Sequence, residues 1–110
     1  MKLPNRENAY IPSPKLMNYL LSETHSVGKA KAQFWRAVGF DETRVEMLER
    51  GLIALVHSQD VKEVVSSLHG VKYIIEGTLE TPTGRIIQVR TVWIIETNQN
   101  RPRFVTAYPT

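Results

Sequence analysis

Apolar positions recur every three or four residues through the first half of the chain and every second residue after Ser58. The first half therefore predicts helices and the second half strands. Residues 1–12 form an extended lead punctuated by Pro4 and Pro12, because a residue that precedes proline avoids the helical region. Ser13 and Pro14 supply a helix cap and a first-turn proline. A short helix over 15–21 follows, with Leu16, Tyr19 and Leu20 turned inward. A second helix over 27–38 carries Ala30, Phe34, Ala37 and Val38 at helical spacing. Gly39 stops it and Phe40 packs behind. Asp41 or Thr43 caps a third helix over 43–57, whose stripe is Val45, Leu48, Leu52, Leu55 and Val56.

The alternating half predicts four strands, over 61–68, 71–79, 85–96 and 103–108. Turn residues separate them: His69 and Gly70, then Thr81 to Gly84, then Thr97 to Asn100. In the third strand Ile87, Val89, Thr91, Trp93 and Ile95 share one face, and Gln88 and Arg90 share the other. Helices followed by a meander of strands make an α+β fold, with two to three N-terminal helices packed on one face of a four-stranded antiparallel β-sheet.

A length of 110 residues fits one domain, 1–110, large enough to bury a core. The absence of cysteine excludes disulfides and zinc-thiolate sites and fits a reducing compartment. There is no apolar run of membrane-spanning length and no signal-peptide stretch near Met1, so a cytoplasmic protein without a membrane partner is expected. A net charge of +3 and a pI near 9.4 permit a polyanionic partner without requiring one. Lys29, Lys31 and Arg36 cluster in one segment, and Arg85, Arg90, Arg101 and Arg103 lie toward the other end.

Several side chains exceed what structure needs. His25 precedes a helix, where outward N–H groups favour anions and an imidazole serves as acid or base; the alternative is an exposed loop or capping residue. Gly28 in the first turn allows close approach of a ligand or another element. Lys31 reaches back toward His25 if His25 is in a loop. Arg90 in an apolar strand suits bidentate phosphate binding. Trp93 reads as core, or as a platform for a base. Thr106 and Tyr108 share a face of the last strand, where a hydroxyl and a phenol suit phosphate contact or stacking. Arg103 begins that strand and adds a cation. The spacings of zinc motifs, phosphate loops, dinucleotide folds and nucleophile elbows are missing, so no metal and no cofactor is expected.

The pattern of Tyr19, Leu20, Leu21, His25, Gly28, Lys31, Ala32 and Phe34, then Val38-Gly39-Phe40, resembles a bacterial domain of unknown function. Gly84, the segment Arg90-Thr91-Val92-Trp93 and the run Val105-Thr106-Ala107-Tyr108-Pro109 extend the resemblance along nearly the whole chain. That domain occurs as small free-standing proteins and at the C-terminus of polymorphic toxins. Its members usually have proline where this chain has Ser26. The domain in turn resembles the barnase–EndoU–colicin–RelE group of metal-independent ribonucleases. The resemblance implies an endoribonuclease toxin acting on RNA such as tRNA or mRNA, paired with a small antitoxin or immunity protein. His25, Lys31, Arg90, Thr106 and Tyr108 are its implied catalytic set, with Gly28, Trp93 and Arg103 binding substrate. The alternative is a non-catalytic RNA- or protein-binding module of an obligate complex.

Overall fold

The computed structural model describes residues 1–12, 15–16 and 29–110, with residues 29–31 described by their backbone. Two α-helices, α1 (Lys29–Ala37) and α2 (Val45–Ser58), precede four strands: β1 (Glu63–Ser67), β2 (Gly70–Glu80), β3 (Ile86–Glu96) and β4 (Arg103–Pro109). The strands pair antiparallel in the order β1-β2-β3-β4, the expected meander. The helical part departs from expectation. Among the described residues there is one substantial helix, α2, and a short one, α1, rather than two to three. The helix expected over 15–21 lies outside the described residues apart from its first two positions.

The buried face of α1 is Ala32 and Trp35, continued by Val38 just past its end, whereas Phe34 is half-buried and Ala37 exposed. The helix is rotated from the expected stripe because Trp35 has more apolar surface to remove from water than Phe34 or Ala37. It meets Phe34 and Phe40 edge-on, at centroid distances of 5.4 and 6.0 Å. Gly39, at φ +102°, turns the chain out of α1. The Asp41 carboxylate then accepts from the Thr43 amide (2.8 Å) and hydroxyl (2.6 Å), which starts the short 3-10 turn Glu42–Arg44 that leads into α2. The same two contacts hold the Asp41 carboxyl below its ordinary pKa.

Leu48, Leu52, Leu55 and Val56 of α2 are buried, as the stripe predicts. They face Ile75 and Leu79 of β2 and Ile87, Val89 and Trp93 of β3 in one core with Leu3, Phe40 and Phe104. Gly77 lies under α2, since a Cβ there would come 3.1 Å from both Leu55 and Gln59. Odd-numbered positions of β2 and β3 thus point at the helix. Even-numbered positions point to the far face of the sheet.

Gly70 opens β2 at φ +146°, and a Cβ on it would lie 2.7 Å from Glu96 Cα, against the backbone of β3. Backbone cannot move aside as a side-chain end can. Gly70→Ala is expected to cost about 1–3 kcal/mol of stability. A urea unfolding midpoint equal to that of the wild type would show that the hairpin absorbs the strain.

Candidate functional site

A β-bulge decides which side chains reach the far face. Trp93 pairs with Phe104, yet Val92 pairs with Thr106, so Val105 is the extra residue. On the near side of the bulge Phe104 is buried, and beyond it Ala107 is buried. The extra residue leaves Arg103, Thr106 and Tyr108 on the far face, opposite Ile94, Val92 and Arg90 respectively. Four of the residues singled out in the sequence therefore share one surface: Arg90, Arg103, Thr106 and Tyr108.

Arg90 stands in a row across three strands, with Glu76 of β2 on one side and Tyr108 of β4 on the other. Its Nε donates to Glu76 Oε2 at 2.6 Å, and its Nη2 lies 2.6 Å from the same oxygen. The other carboxylate oxygen, Oε1, is 3.1 Å from the Lys62 ammonium. The Arg90 and Lys62 hydrogen bonds and charges hold the Glu76 carboxyl below its ordinary pKa. Glu76, and then a hydrogen bond to Tyr108, push the Arg90 guanidinium above its own. Glu76 and Arg90 are thereby both held in their ionised forms. Glu76 was not singled out in the sequence. An acid 14 residues before the arginine becomes its neighbour only through the β2–β3 register.

Arg103 is also engaged, its Nε and Nη2 lying 2.8 and 2.7 Å from Glu96 Oε1. Between the two arginines run Ile74, Val92 and Thr106, all half-buried. Far-face exposure is partial, with the Arg90 side chain at 34% and that of Arg103 at 32%. A half-exposed guanidinium is accessible to an anion while being shielded on its flanks, which strengthens its field relative to open water.

Trp93 does not join this surface. It is fully buried, its Nε1 donates to Thr91 Oγ1 at 2.9 Å, and its ring meets Phe104 edge-on at 5.3 Å. Thr91 in turn donates to the Ile75 carbonyl at 2.8 Å. The relay satisfies every polar atom of the pair inside the core, and the substrate-binding role considered for Trp93 gives way to a packing one. His25 and Gly28 lie outside the described residues, and Lys31 is placed only by its backbone, as the third residue of α1.

A groove of about 410 Å³ opens between α2 and β2, lined by Met47, Arg50, Leu55 and Glu80 among others. It is on the helix side of the sheet and includes none of the predicted site residues. Among the described residues no group of three histidine, aspartate or glutamate side chains is placed to hold a metal. No helix among them is long and apolar enough to cross a membrane.

Residues 2–110 match the model of DUF6883, a domain of unknown function. The chain belongs to the DUF6883 family. The DUF6883 fold seen here is similar to a solved chain of a contact-dependent growth inhibition toxin–immunity protein complex from Klebsiella pneumoniae 342. The two superpose with a TM-score of 0.73 over 96% of each chain, at 15% sequence identity. At that identity the likeness is one of fold. No curated protein matches this DUF6883 chain in sequence.

Proposed function

We propose that this DUF6883 chain is an endoribonuclease toxin of a toxin–antitoxin or immunity pair, and that the far face of its sheet carries the reaction. The observation that supports this most is the convergence of Arg90, Arg103, Thr106 and Tyr108 on one surface, with Arg90 directly opposite Tyr108 across the strands. A sheet needs none of these side chains for its own pairing. Two cations, a hydroxyl and a phenol together suit a polyanion with flat bases. The fold shared with a chain of a toxin–immunity complex supports a toxin-related role and a small cognate protein partner.

In this reading the RNA 2′-oxygen attacks the adjacent phosphorus and the bond from phosphorus to the 5′-oxygen breaks. The products are a 2′,3′-cyclic phosphate and a 5′-hydroxyl. One proton leaves the 2′-hydroxyl and one is delivered to the 5′-oxygen. His25 takes one of these transfers as general base or acid. Arg90 and Lys31 stabilise the charge that grows on the phosphorane oxygens. Thr106 positions a phosphate oxygen, and Tyr108 donates to one or stacks on a base. Arg103 holds a neighbouring phosphate.

Purified protein, separated from any bound partner, is incubated with total RNA and with tRNA in EDTA. The expected result is cleavage with cyclic-phosphate ends, abolished by a single 2′-deoxy substitution at the scissile nucleotide. Intact RNA from about pH 5 to 9, the range that spans histidine titration, would overturn the reading in favour of a binding module.

A further inference from the structure

We propose that Glu76 is a positioning residue, holding Arg90 side-on so that the guanidinium and the Tyr108 hydroxyl together seat one phosphate. Identifying that phosphate with RNA rests on the ribonuclease reading above; the seat itself does not.

The geometry supports this at each step. Glu76 takes the Nε and Nη2 of Arg90 on a single oxygen, Oε2, at 2.6 Å each. Two contacts to one atom fix the plane of the guanidinium as well as its position. The carboxylate is itself held, because Oε1 is bonded to Lys62 at 3.1 Å. Lys62 immediately precedes β1, so three strands and the approach to a fourth anchor one arginine. The contact with Glu76 is made by Nε and Nη2, and Tyr108 of β4 stands directly across from Arg90 on the other side. A phosphate that meets the Nη edge would lie beside the phenol. The row Lys62, Glu76, Arg90 carries two positive charges and one negative, so an anion is still attracted after the internal pair is formed.

A carboxylate that only offset charge would act differently. Removing it would leave an extra positive charge, tighten RNA binding and leave turnover unchanged. A positioning carboxylate affects turnover, because a misdirected donor loses its alignment with the transition state.

The test uses Glu76→Gln, which keeps the size of the side chain and removes its charge, with a melting curve to confirm the fold. For cleavage, the expected result is a fall in kcat of about tenfold or more, with KM unchanged or lower. In a parallel experiment inorganic phosphate is titrated into the wild type and the variant, and the NMR signals of the Arg90 side chain and the Tyr108 ring are followed. Both are expected to shift together in the wild type and to lose that joint response in Glu76→Gln. Wild-type kcat in the variant, or an unaltered joint phosphate response, would overturn the proposal. If the wild type cleaves no RNA, the ribonuclease reading falls and the titration decides alone: no joint shift in the wild type removes the seat as well.

Discussion

Arg90→Ala and His25→Ala are each expected to slow RNA cleavage by about a hundredfold or more, with little change in melting temperature. The two losses have different origins. In the proposed reaction Arg90 supplies fixed positive charge where the phosphorane gains negative charge, and removing one such preorganised donor typically costs about 10²–10³ in rate. In the same proposal His25 supplies a proton transfer, for which about 10²–10⁴ is typical. Their pH dependences separate them. Arg90→Ala keeps the histidine limb of the wild-type pH–rate profile, because the guanidinium is charged throughout. His25→Ala loses that limb. Stability should hardly respond to Arg90→Ala, because its ion pair with Glu76 is half-exposed and such pairs contribute little net energy. An Arg90→Ala protein that cleaves at the wild-type rate would remove the far face of the sheet from the mechanism.

The largest loss of stability is expected at Trp93. Its ring is fully buried against Phe104, and its indole N–H is the donor that satisfies Thr91 Oγ1 from above while Ile75 accepts below. Trp93→Ala removes the apolar surface, leaves a cavity and strips one hydrogen bond from a buried hydroxyl. Truncation of a buried aromatic typically costs about 3–5 kcal/mol, which for a domain of this size corresponds to a fall in melting temperature of roughly 15 °C. Circular dichroism melting measures it directly. A shift of only a few degrees would mean that neighbouring side chains collapse into the space, and that the Trp93–Phe104 contact is less central to the core than its burial implies.

Much of this architecture is legible in the amino-acid order. The change of hydrophobic period near Ser58 marks the step from helix to sheet, and the α2 stripe and the helix-facing side of β3 follow from spacing alone. The orientation of α1 does not, because Phe34, Trp35, Ala37 and Val38 are contiguous enough to offer two stripes, and only the core decides that Trp35 enters it. The candidate site is half legible. Arg90, Thr106 and Tyr108 stand out as polar residues in apolar strands, but their common face depends on the Val105 bulge. A trace of the bulge exists in the sequence: Phe104 and Ala107 are three apart, out of step with a strict alternation. Glu76 leaves no such trace, since its partnership with Arg90 is a matter of strand register across 14 residues.

The bulge also sets where the length of this chain is free to vary. Shortened by Val105 alone, β4 would run from Phe104 straight to Thr106, and each would keep its present partner, Trp93 and Val92. Shortened instead at Ala107, the strand would carry Tyr108 opposite Thr91 and into the core, taking it from the side of the sheet that holds Arg90. Loss of one residue thus keeps the register of the site at the bulge and breaks it beyond. Along this strand, counting residues matters as much as choosing them.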